Sequence, residues 1–530
     1  MSSKPRVVIV GAGASGLACA ISLKKVHGLD NFTIYEKGPD IGGTWRDNIY
    51  PGCSSDVPMS FYSLSSDLHD WPQSHGSNED IQAYWVGLTR KYGLYPHIEF
   101  NKTVVLAEWN SEKQLYTVTV ENLATGERSV STAAIVVSAI GVLEVPRYAG
   151  IPGRETFKGE LFHSGRWDTS VDLAGKKVGV VGNGASATQF VPCITKDPSV
   201  NVVNFCRTPK WLLPPTRKTY SNLRRAILRN IPFAYRLVRW SVFLRLEFMY
   251  LAVFGNAFLR RVVTKLLTSY IRHTAPSSMH DKLIPSFPVG CKRVIFDTNY
   301  LKALHRPNLK VNWDGVERIT EDGVVTKTGD HIPLDVLIFA TGYAADEYPL
   351  PIVGNRKMSI QESFRAGGGG KAYLGTMVPG FPNFFMITGP NVVTGHTSVI
   401  YTTEVQINYI MQLISPILGR KIESLEVTQS ATNAYDDKIQ ARLSNSVFMQ
   451  CHSWYRVGGE GKVTNNFPAA ATVFWLWLRK PDWIHYTVIG GESWLAKQQL
   501  RQRIWGGFKM SALLCILVLG ASYSRRAIFR

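Results

Sequence analysis

Fifteen consecutive residues, Gly42-Gly43-Thr44-Trp45-Arg46-Asp47-Asn48-Ile49-Tyr50-Pro51-Gly52-Cys53-Ser54-Ser55-Asp56, carry the residue types that redox chemistry on a flat ring requires. The paired glycines let backbone approach a planar ligand, Trp45 can lie against a ring system, Pro51-Gly52 forces a turn, and Asp56 closes the run with a carboxylate. The stretch begins just past a mononucleotide-binding pattern, where a doubly wound fold returns its chain to the bound cofactor.

That pattern is complete. The apolar run Arg6-Val7-Val8-Ile9-Val10 reads as a buried parallel strand and is too short for a signal peptide. Gly11-Ala12-Gly13-Ala14-Ser15-Gly16 follows, then an apolar helix from Leu17 to about Val26, then the strand Phe32 to Tyr35 ending in Glu36. Gly11, Gly13 and Gly16 admit a pyrophosphate to the helix N-terminus, and Glu36 can accept from a ribose 2'-hydroxyl. The arrangement recurs as Val178 to Val181, Gly182-Asn183-Gly184-Ala185-Ser186-Ala187, and a strand from Asn201 to Cys206. Glu36 lies 25 residues after Gly11 and Arg207 lies 25 residues after Gly182, so by counting, matching positions carry opposite charges. A carboxylate suits a free 2'-hydroxyl and a guanidinium suits a 2'-phosphate, which assigns FAD to the first unit and NADPH to the second, with Thr208 assisting Arg207.

The elements around these units set the architecture. An alternating stretch from Val104 to Val120 predicts an antiparallel meander, and the apolar run Ala134 to Gly141 predicts the strand that completes the first unit. The expected fold is α/β, with two Rossmann-like dinucleotide-binding domains, a helical insertion and a C-terminal apolar tail. Residues 1–145 and 331–470 form the two parts of the FAD domain, and 146–330 form the NADP domain with an insertion at about 212–285. A C-terminal segment, 471–530, follows. With 530 residues, 45% of them hydrophobic, the chain can bury the cores this requires.

The formal net charge is +19, much of it between Asn222 and Arg272, where ten basic residues accompany the single acid Glu247 among leucines and aromatics. A basic face on anionic lipid, an electrostatic funnel for NADPH and a solvated helix face all fit that composition. Nucleic acid is disfavoured, because no recognition motif accompanies the charge. Seven scattered cysteines indicate neither a zinc site nor a disulfide scaffold, and so a reducing compartment. Met510 to Ser524 lacks charge. Extended back to Ile504 with Lys509 snorkelling, it makes a 21-residue segment, 504–524, that just suffices as a membrane anchor, with the catalytic domains on the cytoplasmic side.

Two further motifs identify a resemblance. Phe157-Lys158-Gly159-Glu160-Leu161-Phe162-His163-Ser164-Gly165-Arg166-Trp167-Asp168 has the spacing FxGxxxHxxxW, and together with the stretch ending at Asp56 it resembles the paired fingerprints of the Baeyer-Villiger monooxygenases. These are flavoproteins that insert an oxygen atom beside a carbonyl. Trp167 favours them over relatives that oxidise nitrogen and sulfur, which tend to carry Tyr or Phe there. The Pro-Gly approach to Lys292-Arg293 resembles the family's Lys-Arg pair, the strand ending in Ala340-Thr341-Gly342 resembles its return to the FAD domain, and Ser453-Trp454-Tyr455 resembles its mobile segment.

The resemblance implies Arg293 as the active-site arginine, oriented by Asp56, keeping a peroxide on the flavin C4a carbon ionised. It implies FAD contacts at Thr44, Trp45, Asp47, Asp56, Val57, Tyr62 and Asn391. Ser54, Ser55, Ala185, Ser186, Ala187, Thr188, Gln189, Lys292 and Trp454 join Gly182, Asn183, Gly184, Arg207 and Thr208 on NADP. His163 is expected to hold the two domains in register, and no metal is expected. The implied reaction converts an apolar ketone or aldehyde, with O2, to an ester or lactone. A heteroatom-oxidising or hydroxylating monooxygenase and a non-catalytic membrane flavoprotein are the alternatives.

Overall fold

The computed structural model describes residues 4–345 and 347–505. Two five-stranded parallel sheets dominate it. The first runs Phe384–Met386, Ile135–Ser138, Val7–Val10, Phe32–Tyr35, Ile98–Glu99, and the second runs Leu309–Asn312, Asn201–Phe205, Lys177–Val181, Val336–Phe339, Glu160–His163. Val7–Val10, Ile135–Ser138 and Val336–Phe339 are buried at every residue, which is why they read as unbroken apolar runs. The expected meander is present: Lys102–Asn110, Leu115–Asn122 and Arg128–Ala133 pair antiparallel and bury Trp109 against Tyr116.

The two glycine turns share one backbone geometry. Gly11 has φ +102°, and a Cβ there would sit 2.9 Å from the Ala139 carbonyl oxygen; Gly182 has φ +108°, with 2.6 Å to the Ala340 carbonyl oxygen. Each helix N-cap glycine is extended, Gly13 at φ −75° and Gly184 at φ −78°. The helices that follow are Ala14–His27 and Ala185–Ile194.

The insertion folds as helices Asn222–Asn230, Ala234–Tyr250 and Ala257–Thr274, with a π-helical turn Leu251–Gly255 before the last. Val242, Phe243 and Leu246 pack it onto Phe61 and Tyr401. Its other side is open. Phe233, Leu237, Trp240, Leu244, Phe248 and Leu251 recur at helical spacing and are each more than half exposed. Glu247 points inward, accepting from His396 Nε2 at 2.9 Å and from the backbone N–H groups of Ala471 and Thr472. These bonds outweigh the cost of burial and hold its carboxyl down at about 2.

Among the described residues no single helix is long and apolar enough to cross a membrane. The expected anchor 504–524 lies outside the described residues except for Ile504 and Trp505. The cysteine expectation needs correction: Cys291 and Cys451, 160 residues apart, form a disulfide. Spacing could not reveal it, because the fold, not a local motif, brings the pair together.

Candidate functional site

The stretch from Gly42 to Asp56 runs between the two glycine turns. Gly43 closes on the first: a Cβ there would lie 3.1 Å from Gly13 Cα, so the backbones form a cradle that side chains would fill. Gly52 closes on the second unit. At φ +82°, its Cβ would meet Cys193 Sγ at 2.8 Å and the Gln189 carbonyl oxygen at 2.9 Å. Gln189 fastens the same contact, donating to the Ser54 carbonyl at 3.0 Å and accepting from the Tyr50 hydroxyl at 2.9 Å.

At the end of the stretch, Asp56 Oδ2 accepts from Arg293 Nη2 at 2.6 Å, across 237 residues of sequence. Asp56 is 13% exposed and Arg293 45% exposed. Burial opposes the guanidinium's charge, but Asp56 outweighs it and raises the Arg293 pKa further. Tyr455 lies close enough to feel that charge, and burial pushes its phenol up to about 12. A fixed cation with an open face and one carboxylate behind it can stabilise an oxyanion in a partly dry cleft.

On the flavin side, Glu36 is buried and accepts from Ala12 N at 2.7 Å, Gly38 N at 2.8 Å and Arg46 Nη1 at 2.8 Å. Its carboxylate therefore keeps about one free lone pair for a ribose hydroxyl. Asp47 takes Arg46 on one oxygen and faces Arg166 at 3.3 Å on the other. Thr44 opens the short helix Thr44–Asp47. Trp45 is buried edge-on to Tyr62, whose phenol burial pushes up to about 12. Val57 is bonded back to Ser55 through its N–H and its carbonyl. The Asn391 carboxamide donates to the Val463 and Asn466 carbonyls and so braces the turn in which it sits. A cleft lined by Ser138, Ile140, Gly141, Thr388, Gly389 and Asn465 opens at the carboxyl ends of Ile135–Ser138 and Phe384–Met386, where doubly wound sheets bind ligands. The glycine cradle, Glu36 and this cleft fit FAD.

On the other side, counting misplaces one position. Strand pairing sets Val10 against Tyr35 but Val181 against Phe205. The residue matching Glu36 is therefore buried Cys206, and Arg207 matches Lys37. Arg207 nonetheless stands in a cationic cluster. Lys292 Nζ donates to Thr208 Oγ1 at 3.3 Å, and Asn183 donates to the Thr208 carbonyl at 3.0 Å. Lys210, unnoticed in the sequence although it lies three residues past Arg207, belongs to the same group: burial and then the charges of Lys292 and Arg207 lower its pKa to about 8. Burial and then Arg207 lower Lys292 as well. Uncompensated like charges at the end of a nucleotide-binding strand fit the 2'-phosphate of NADPH.

Ser186 and Ala185 begin the helix after the second turn. Thr188 bonds back to Gly184 and Ala185 within it, and Ala187 packs in the core. His163 is fully buried, held at about 4 by that burial, and accepts from Gly165 N at 3.0 Å. Trp167 packs edge-on to Phe162 and Phe190. Trp454 is 41% exposed and tilted against Tyr455.

The profile of the "FMO-like: Flavin-binding monooxygenase-like" family matches residues 4–363. A Baeyer-Villiger monooxygenase of Streptomyces coelicolor is 33% identical, covering 91% of this chain and 92% of its own. One from Pseudomonas aeruginosa is 35% identical over 85% of each. Among solved structures, cyclohexanone monooxygenase from Rhodococcus sp. Phi1 bound to NADP+ shares the fold, with a TM-score of 0.82, 23% identity and coverage of 93% of this chain and 100% of that one.

Proposed function

The chain belongs to the flavin-binding monooxygenase-like family, and from that premise we propose that it is an FAD-dependent, NADPH-using Baeyer-Villiger monooxygenase whose oxygen transfer is controlled by Arg293. The balanced reaction is ketone, O2, NADPH and a proton to ester or lactone, NADP+ and water. FAD, when bound and reduced by NADPH, supplies the activated oxygen.

The chain's own residues set the stage for it. Gly11, Gly13 and Gly16 cradle the flavin nucleotide, and Arg207, Lys210 and Lys292 hold the 2'-phosphate of NADPH. Gly52 and Gln189 fix the spacing between the two units. Arg293 faces the junction, where its guanidinium stabilises negative charge on the attacking oxygen and then on the carbonyl oxygen of the substrate. Asp56 prevents it from swinging away. The 2.6 Å Asp56–Arg293 bond between the two nucleotide units is the observation that carries this reading. Anaerobic NADPH should bleach the flavin, and admitting 18O2 with a panel of ketones should place one labelled atom in each ester. Oxidation of amines and thioethers with ketones left untouched would refute it.

The surface of the helical insertion supports a lipid-soluble class of substrate. The exposed apolar stripe of Ala234–Tyr250, with Arg236 and Arg245 on the same helix and Arg260, Arg261 and Lys265 on the next, has the composition of a face that lies on anionic lipid. The apolar 504–524 segment would reinforce it, with the catalytic domains on the cytoplasmic side and lipid-soluble ketones as substrates. Flotation with phosphatidylglycerol vesicles but not phosphatidylcholine vesicles is expected. Equal failure to float with both would remove this part of the reading.

A further inference from the structure

Cys291 immediately precedes Lys292 and Arg293, and Cys451 stands three residues before Trp454. Their disulfide, with a Cα–Cα distance of 6.1 Å, therefore joins the segment that carries the active-site arginine to the segment that carries the exposed tryptophan. Cys291 is fully buried behind the turn at Pro288, whereas Cys451 is partly accessible.

The segment on the Cys451 side closes its hydrogen bonds on itself, while Tyr455 anchors it in the core against Phe448. Ser453 N–H donates to the Gly459 carbonyl, Val457 N–H to the Lys462 carbonyl, and Gly461 N–H to the Val457 carbonyl. Arg456 donates to the carbonyls of Gly461 and Met449, and Asn465 donates to the Trp454 carbonyl. Among the described residues, the hydrogen bonds of 452–461 thus close within 449–466. Gly458 and Gly459 both take positive φ, so the segment also contains its own flexible joints. Its covalent tie to the Lys292–Arg293 segment is the disulfide, and the buried Tyr455 adds a noncovalent one by lying within range of the Arg293 charge.

The other cysteines among the described residues are poorly placed to react. Burial pushes the thiols of Cys53, Cys19 and Cys206 up to between about 11 and about 12, and raises Cys193 as well. They are protonated at neutral pH, and a protonated thiol is a weak nucleophile.

We propose that Cys291 and Cys451 form a reversible redox site that governs the mobility of the Trp454 segment: the disulfide fastens it to the arginine segment and reduction releases it. The proposal rests on reading that segment as the part that moves against NADP. The oxidant is hydrogen peroxide, the product that balances NADPH, O2 and a proton when no oxygen atom is transferred to a substrate. One thiolate attacks the peroxide O–O bond, giving a sulfenic acid and water. The second thiolate attacks that sulfur, forming the S–S bond and expelling the oxygen as a second water. In all, two thiols and one peroxide give one disulfide and two waters. A small thiol such as glutathione reverses it by attacking the sulfur of Cys451, the less buried residue of the pair, and displacing Cys291 as thiolate, and a second glutathione resolves the mixed disulfide.

The test uses the full-length, FAD-loaded protein after hydrogen peroxide or after glutathione. Differential alkylation with mass spectrometry should find residues 291 and 451 blocked after peroxide and free after glutathione, with 19, 53, 193 and 206 unchanged. Amide exchange across 450–461 should become roughly tenfold faster on reduction, the scale expected when a cross-link is removed, and NADP+ should dissociate faster in parallel. Cys451→Ser should show the fast exchange in both treatments. Free thiols at 291 and 451 after peroxide, or exchange across 450–461 that ignores the redox state, would overturn the proposal. Faster exchange in a protein that oxidises no ketone would leave the tether standing and defeat the reading of function instead.

Discussion

The two nucleotide-binding units of this chain are built alike and charged differently. Both begin with a glycine at φ above +100° pressed onto a carbonyl at the end of a neighbouring strand, and both start their helix on an extended glycine. They part at two places. Gly16 sits where a Cβ would lie 1.9 Å from the Gly11 carbonyl oxygen, whereas the equivalent Ala187 is accommodated, so the first helix packs closer to its turn. The first unit ends its second strand on a buried carboxylate. The second reaches the corresponding region one residue early, burying Cys206 and leaving Arg207 outside with Lys210 and Lys292. A one-residue slip exchanges the faces of a strand, so ligand preference here rests on a cluster of cations rather than on one matched position.

The largest break in that comparison is expected at Gly16. Gly16→Ala should cost on the order of 3 kcal/mol or more and abolish FAD retention, read by flavin content and thermal unfolding.

Between the units, Gly52→Ala should keep FAD bound. It should nonetheless slow flavin reduction by NADPH on the order of 100-fold, because the helix carrying Gln189 must move away; rapid-mixing absorbance measures it. Within the cationic cluster, Lys210→Ala should raise the KM for NADPH roughly 10–100-fold and leave NADH nearly unchanged.

The pH dependence sharpens the same point. Lys210 loses its charge above about 8, so affinity for NADPH should fall as pH rises through that value. The sign for stability is opposite. A lysine whose folded pKa is depressed penalises the folded state while charged, and that penalty is relieved between about 8 and the ordinary lysine value. Lys210→Arg should flatten both trends. Smallest of all, Ala187→Gly should cost about 1 kcal/mol from the loss of helix propensity and leave both cofactors bound.

Much of this was legible in the sequence for identifiable reasons. Buried parallel strands are continuous apolar runs, and glycine turns have fixed spacing, so both sheets and both cradles could be read directly. The Asp56–Arg293 pairing followed from motif resemblance and could not follow from spacing, since 237 residues separate the partners. The bracing bonds of Asn391 were hidden because its partners are backbone carbonyls, which every residue has. Lys210 was hidden because a lysine in a basic chain carries no signal until its neighbours are known. The slip at Arg207 was hidden because counting from a turn ignores the length of the connection before the next strand. The Cys291–Cys451 bond was invisible for the same reason that scattered cysteines look unpaired.

Arg293 is assigned a role in oxygen transfer and none in flavin reduction. Its most direct test is a single turnover of Arg293→Ala: anaerobic bleaching with NADPH, then mixing with O2 and a ketone that the wild type converts, with ester counted per NADPH consumed. Bleaching should proceed, while the ester yield should fall by roughly 100-fold or more. An ester yield equal to that of the wild type would contradict the role assigned to this guanidinium.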